Sequence, residues 1–102
     1  MEVNCSSLNE VRENIDAIDR EIVALLARRG AFVTNSASFK KTKDEVKAPN
    51  RVDQVISKVI SLAQEQGANP EVVESVYRAM ISAFIQAELK EHSLLNGDSG
   101  QP

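Results

Sequence analysis

Apolar residues recur at helical spacing along the first third of the chain. The stripe advances by three or four residues at each step and consists of Leu8, Val11, Ile15, Ile18, Ile22 and Leu25. This spacing predicts an amphipathic helix. Ser7 and Glu10 match a capping box at its start. No proline interrupts the pattern, so we expect the helix to continue to about Thr42.

The rest of the pattern predicts two shorter helices. The charged segment KTKDEVKAPN, residues 41–50, predicts a surface loop. Asn50 is the expected cap of the second helix and Gly67 its end. The apolar positions of that helix are Val52, Val55, Ile56, Val59, Ile60 and Ala63.

Asn69 and Pro70 mark the start of the third helix, because proline favours the first helical position. Its expected inner face consists of Val73, Val76, Tyr77, Met80, Ile81, Phe84, Ile85 and Glu88. We expect residues 93–102 to form a disordered tail. The pattern therefore predicts one all-α domain of three helices over residues 1–92.

The stripe of the first helix is interrupted where a core face should continue. The seven-residue step after Ile22 lands on Arg29, and Ser36 and Lys40 follow on the same side. On one continuous helix Arg29 and Lys40 would differ in direction by only ~20°. A lone cation at a helix edge usually reaches solvent. Two inward cations and an inward acid, Glu88, instead predict a pocket for a small dianion, since buried charges need compensation.

Composition excludes several other classes of function. The net charge of -3, with acids and bases mixed, indicates no nucleic-acid-binding surface. No apolar run approaches the roughly 20 residues of a membrane span, and the first residues do not resemble a secretory signal. Cys5 is the only cysteine, so we expect a cytoplasmic protein without disulfides. His92 is the only histidine, and no metal-ligand cluster or nucleophilic triad is expected.

A longer motif carries a family resemblance. Residues 8–29 follow the pattern LxEVRxxIDxIDxxIVxLLxxR, and Lys40 lies eleven residues after Arg29. The pattern resembles the all-helical class of chorismate mutases and the related isochorismate pyruvate lyases, over about residues 5–92. The resemblance implies a homodimer whose long first helices intertwine into a six-helix bundle. It also implies that each active site receives Arg12 from the partner chain.

The resemblance implies a role for each charged residue toward a small dicarboxylate substrate, without a cofactor. Arg12 and Arg29 would each hold one carboxylate. Lys40 would contact a carboxylate and the ether oxygen whose C–O bond breaks. Arg51 matches the family's arginine at the start of the second helix. Glu88 falls where most members have glutamine, and some mutases glutamate, donating a hydrogen bond to the ether oxygen.

These residue types suit the mutase reaction, in which chorismate rearranges to prephenate. The rearrangement is an intramolecular [3,3] shift, so it requires no nucleophile, metal or obligatory proton transfer. Arginines that hold both carboxylates would select the reactive chair-like conformer. Lys40 and a protonated Glu88 would stabilise the negative charge that grows on the ether oxygen. An ionised Glu88 would repel that oxygen, so we expect mutase activity to fall as the pH rises.

Some positions depart from the mutase pattern and leave alternatives open. Val52 stands where typical mutases carry a glutamate that contacts the substrate hydroxyl. The loop between Lys40 and Arg51 looks one residue shorter than in the family, and an alternative register would put Asp53 near that place. Phe84 stands where some mutases use serine. Together with Ser36, Val52 and Phe84 are expected neighbours of the substrate.

The expected function is that of a chorismate mutase, with two alternatives. The sequence APNRV and the residues Val52 and Phe84 look more like the isochorismate pyruvate lyases, which convert isochorismate to salicylate and pyruvate. A catalytically inactive helical binding module is the third alternative. Retention of all four cations in the expected pocket argues against that alternative.

Overall fold

The protein is all-helical in the computed structural model, which describes residues 2–95. The elements in chain order are helix α1 (Leu8–Ser36), a 3₁₀ turn (Ala37–Phe39) and helices α2 (Lys43–Lys47), α3 (Pro49–Gln66) and α4 (Pro70–Leu95). No strand occurs within residues 2–95. The predicted all-α class with one long and two shorter helices is confirmed, and α2 is an addition. The chain divides into two compact units, residues 1–32 and 33–102. The predicted dimer and the single domain over residues 1–92 stay predictions.

Helix α1 begins with a capping box that closes on two serines. The Ser7 hydroxyl oxygen accepts a hydrogen bond from the Glu10 N–H at 3.0 Å, as predicted. The Glu10 carboxylate accepts from the hydroxyl and the backbone N–H of Ser6, at 2.7 and 3.2 Å. The hydroxyl and then the backbone hydrogen bond of Ser6 lower the pKa of Glu10 from its ordinary value of 4.5. They do so because they stabilise the ionised carboxylate.

The apolar stripe of α1 is not buried within the chain. No residue of α1 is buried. Five of its aliphatic side chains are between 48% and 62% exposed: Leu8, Ile15, Ile18, Ile22 and Leu25. A contiguous apolar face of this kind on a protein surface marks a site of association.

The predicted continuation of α1 past Ser36 is wrong. The Ser36 hydroxyl donates to the carbonyl oxygen of Val33 at 2.6 Å, and the Ser38 hydroxyl donates to that of Asn35 at 2.9 Å. Such side-chain bonds to nearby carbonyls compete with the helical pattern. The 3₁₀ turn follows, and Lys40 then has extended backbone, with φ -110° and ψ 128°.

The predicted loop between the first two long helices contains α2. The Thr42 hydroxyl accepts from the Glu45 N–H at 3.1 Å, and the Glu45 carboxylate accepts from the Lys41 N–H at 3.0 Å. Thr42 and Glu45 therefore form a capping box, and their spacing of three residues is the signal for it in the sequence. Val46 is only 2% exposed, and α2 packs against α4. One buried side chain and one cap therefore hold a helix of five residues.

Helix α3 begins earlier than predicted, with Ala48 and not Asn50 as its cap. Pro49 occupies the first helical position, which its fixed φ favours. Ala48 is left-handed, with φ 39° and ψ 61°, at a cost of about 1 kcal/mol for a residue with a Cβ. Its N–H donates to Asp44 and its carbonyl accepts from Val52. This single residue therefore joins α2 to α3 and sets the start of α3.

The core of the second unit lies between α3 and α4, which pack against each other. Its buried apolar residues are Val46, Ile56, Val59, Ala63 and Ile81. All six predicted apolar positions of α3 are buried or half-buried. Burying a valine or isoleucine side chain stabilises the fold by about 1.5–3 kcal/mol. On α4 the prediction fails at Val76, which is 56% exposed.

The turn between α3 and α4 and the length of α4 complete the fold. Gly67 ends α3 with φ 71°, and the Asn69 side chain accepts from the Glu71 N–H at 2.9 Å, so both predicted boundaries are confirmed. Helix α4 continues to Leu95, and His92, expected near a fraying end, is 8% exposed. The rest of the predicted tail, residues 96–102, lies outside the described residues. Within residues 2–95 no helix is long and apolar enough to span a membrane.

Candidate active site

Two of the predicted site residues form a partly buried ion pair in the second unit. Lys40 Nζ donates a hydrogen bond to Glu88 Oε2 at 2.8 Å. The Glu88 side chain is 5% exposed and the Lys40 side chain 23%. Removing a carboxylate from water costs several kcal/mol unless an opposite charge compensates it. Lys40 therefore compensates Glu88, across a sequence separation of 48 residues.

The position of Lys40 follows from the irregular end of α1. Because the 3₁₀ turn ends at Phe39, Lys40 leaves the helical path with extended backbone. The prediction that Arg29 and Lys40 share one face of a continuous helix is therefore wrong. Glu88 lies on α4, the helix against which α2 packs. The turn before α2 thus brings Lys40 to α4.

An open cleft lies beside Glu88. The space within it, open solvent included, is about 430 Å³, and it is lined by Val33, Thr34, Ala37, Phe84, Ala87, Glu88 and Glu91. Lys40 is not among the residues that line it. Most of the lining side chains are apolar or small, and such a lining with few polar groups is typical of small-molecule sites.

The other predicted site residues of the second unit have different surroundings. Phe84 lines the cleft with Glu88, and its contact with a substrate stays a prediction. Ser36 is half-buried, its hydroxyl bound to the Val33 carbonyl, and it is not among the residues that line the cleft. Arg51 is exposed and Val52 half-buried in the first turn of α3.

Two predicted arginines belong to the first unit. Arg12 is exposed and Arg29 is half-buried, both on α1. Their approach to Lys40 and Glu88 stays a prediction. Asp53, the alternative in a shifted register, is exposed on α3.

Glu91 is a cleft residue that the sequence pattern does not predict. Glu91 lies three residues after Glu88 on α4, so the two carboxylates share a face of the helix. Both line the cleft. Glu91 would be included if the predicted inner face of the third helix were extended by one turn beyond Glu88. Thr34, Ala37 and Ala87 carry no comparable signal, because small residues occur on every face of these helices.

The pair and the cleft together can bind and polarise an oxygen atom. The ammonium group of Lys40 can donate to an acceptor oxygen that replaces part of its contact with Glu88, and Glu88 can donate to the same oxygen only when it carries a proton. An oxygen bound there is close to apolar walls, where electrostatic interactions are stronger than in water. The arrangement is therefore suited to a reaction in which negative charge grows on an oxygen.

Comparison with known proteins gives the family. The chain is similar to the isochorismate pyruvate lyase of Pseudomonas aeruginosa, with 32% identity over 87 residues that cover 85% of this chain and 86% of the relative. It is also similar to the bifunctional chorismate mutase/prephenate dehydratase of Aquifex aeolicus, with 33% identity over 81% of this chain but only 24% of that longer protein. A family model described as chorismate mutase type II matches residues 11–89. The chain therefore belongs to the chorismate mutase type II family.

Proposed function

We propose that this chain is a chorismate mutase that converts chorismate to prephenate and acts as a homodimer. The observation that carries the proposal is the pair of Lys40 and buried Glu88, whose carboxylate lines an open cleft with mostly apolar walls. Family membership supplies the class of reaction. The pair supplies the two groups that stabilise the negative charge on the ether oxygen as the C–O bond breaks.

In this mechanism the ether oxygen of the substrate replaces part of the contact between Lys40 and Glu88. Two atoms at 2.8 Å leave no room for an oxygen between them, so one side chain has to move. Lys40 is the more exposed of the two and has a flexible four-carbon stem. Lys40 then donates to the ether oxygen, and Glu88 donates a second hydrogen bond when it carries a proton. Both donors favour the transition state, in which this oxygen is more negative.

The two substrate carboxylates require further cations. Lys40 is compensated by Glu88, and Glu91 adds a second carboxylate to the cleft. A dianion at this cleft therefore needs positive charge from elsewhere. Arg29 and Arg51 of the same chain and Arg12 of a second chain supply it in this proposal. Guanidinium groups suit the task, since they bind carboxylates bidentately.

The proposed dimer rests on the exposed face of α1. Five of its aliphatic side chains from Leu8 to Leu25 are between 48% and 62% exposed, and a second copy of α1 would bury them. Association of this face with itself gives a symmetric interface, the commonest kind in homodimers. Arg12 lies on the same helix within this stretch, so dimerisation would carry it to the partner.

A lyase acting on isochorismate is the second candidate. Phe84, which lines the cleft beside Glu88, resembles the lyase pattern more than the mutase pattern. The relative from Pseudomonas aeruginosa is matched over 86% of its length. The same cations would hold isochorismate while the C–O bond breaks and pyruvate leaves. An inactive binding module is a weaker third candidate, because it gives no role to a lysine paired with a buried glutamate beside a cleft.

A cytoplasmic location is part of the proposal. Cys5 is the only cysteine, so no internal disulfide would be lost in a reducing compartment. Fractionation of the native host with an antibody against the chain tests this point.

The proposed function is tested by giving the purified chain chorismate and isochorismate separately, between roughly pH 5 and 8. Formation of prephenate from chorismate supports the mutase. The product should be lost in Lys40→Ala and kept in Glu65→Gln, a substitution on the exposed side of α3. Salicylate and pyruvate from isochorismate, with little prephenate, would replace the mutase by the lyase. No product from either compound, with the wild-type chain folded, would contradict both and leave the binding module.

A further inference from the structure

A short segment, residues 40–48, joins the 3₁₀ turn to α3. It begins at Lys40, which has extended backbone, and contains the five-residue helix α2. It ends at Ala48, whose left-handed conformation is unfavourable for a residue with a Cβ. A helix as short as α2 is not stable on its own in water. The structure of residues 40–48 therefore depends on contacts with the rest of the unit.

Two contacts attach residues 40–48 to the body of the unit. Near the end of the segment Val46 is 2% exposed, and α2 packs against α4. At its start Lys40 Nζ donates to Glu88 Oε2 on α4 at 2.8 Å. The Glu88 side chain is only 5% exposed, so solvent screens this contact less than an ion pair on the surface. The ion pair can therefore fix the start of the segment, as Val46 fixes its end.

One member of this ion pair also lines the cleft. Glu88 is a lining residue, and so is Ala37, which lies three residues before Lys40. The ammonium group of Lys40 can pair with Glu88 or with an anionic ligand that replaces it. In the structure Glu88 occupies that ammonium group without a ligand. Glu88 thus stands where the charge of a ligand would otherwise be needed to hold Lys40.

We propose that Glu88 is an internal latch that holds residues 40–48 on α4 before substrate binds, and that the substrate then takes its place on Lys40. The first part stands on the ion pair, and the second rests on the proposed function. A segment that is ordered in advance reduces the conformational entropy lost on binding. Displacing Glu88 opposes binding, because its carboxylate loses its cation in a buried position.

Hydrogen exchange of the Val46 and Ala48 amides measures the latch, because both donate to backbone carbonyls within the segment. We expect exchange in ligand-free Glu88→Met to be at least about tenfold faster than in wild type, the scale of one hydrogen bond to a charged group. Glu88→Gln keeps an acceptor and should give a smaller acceleration. The matched control Glu91→Gln removes a charge from the same cleft and should leave the exchange unchanged.

A double-mutant cycle separates a latch from two independent effects. If Lys40 and Glu88 act as a pair, the double variant with methionine at both positions exchanges no faster than Lys40→Met alone. Independent effects would multiply to about a hundredfold and would overturn the latch. Unchanged exchange in Glu88→Met would overturn it too, since Val46 would then hold the segment without the ion pair. So would wild-type protection of Val46 equal to that of Val59 in the core of α3, because the segment would then open only with the whole fold.

The part of the proposal that concerns the substrate is tested with a bicyclic ether dicarboxylate that mimics the mutase transition state. At saturation it should return the exchange of Val46 in Glu88→Met to the wild-type rate, because the ligand then holds Lys40. A bound mimic that leaves this exchange fast would overturn the replacement of Glu88 by substrate. A mimic that binds neither wild type nor Glu88→Met would remove the proposed function and that replacement together. The ligand-free comparison decides the latch in either case.

Discussion

Lys40 Nζ lies 2.8 Å from Glu88 Oε2, and this contact joins the end of the α1 region to the last turns of α4. The carboxylate is almost fully buried and the ammonium is partly solvated. Such a pair gives weak net stabilisation, because desolvation offsets much of the attraction. Its position beside a cleft is better explained by chemistry than by stability.

Removing Lys40 should cost both stability and activity. Lys40→Ala leaves Glu88 buried without its cation, which we expect to lower the free energy of unfolding by about 1–3 kcal/mol. Glu88→Gln keeps an acceptor for Lys40 and should cost less than about 1 kcal/mol. The loss of an electrostatic stabiliser should reduce kcat at least about 100-fold in Lys40→Ala. Urea unfolding and turnover measure both effects, with the exposed Lys58→Ala on α3 as control. A fully active Lys40→Ala would remove this lysine from the mechanism.

The cap at the start of α1 should weaken in acid. The Ser6 hydrogen bonds lower the pKa of Glu10 from its ordinary value of 4.5, so the folded chain binds this proton less readily than the unfolded chain. The contribution of Glu10 to stability is therefore present above pH 4.5 and is lost as the pH falls through the lowered value. Carboxyl chemical shifts measured against pH should show the Glu10 pKa rising toward 4.5 in Ser6→Ala. An unchanged titration in that variant would mean that the hydroxyl does not stabilise the carboxylate.

The exposed stripe of α1 should hold the dimer together. Leu25→Asp puts a charge into the proposed interface, and we expect an unfolded chain or a monomer at micromolar concentration. Ala27→Asp introduces the same charge on the same helix outside the stripe and should remain dimeric. Arg29→Ala should be a folded but inactive dimer. Sedimentation and circular dichroism separate these outcomes. A dimeric, folded Leu25→Asp would place the interface elsewhere.

Much of the fold could be predicted because the helical period is strong and its ends carry clear signals. Gly67 and Asn69 ended and began helices where expected, since a left-handed cap and an N-cap have specific residue preferences. The end of α1 was not predicted, because no proline or glycine marks it. Serine side chains that bond to backbone carbonyls end that helix, and this competition leaves only a weak trace in a sequence.

Two residues of the candidate site could be predicted from the sequence, although the helical geometry expected for one of them was wrong. The helical pattern and the family resemblance both indicate Lys40 and Glu88, and the structure brings them into contact. The helical geometry used to relate Lys40 to Arg29 does not apply, because a 3₁₀ turn intervenes. Glu91 was missed because a glutamate near the end of a helix normally indicates solvent. Its place in the cleft depends on the packing between distant segments, which spacing along one helix does not contain.

The most direct test of the proposed site is complementation between two inactive chains. Arg12→Ala and Lys40→Ala are each expected to be inactive, because every site in either homodimer lacks one cation. If Arg12 acts on the partner's site, each mixed dimer contains one intact site. Random mixing should then restore about a quarter of wild-type activity, since half of the dimers are mixed and each has one working site of two. No recovery in a sample whose mixed dimers are verified by mass would contradict a site built from Lys40 and Glu88 of one chain and Arg12 of the other.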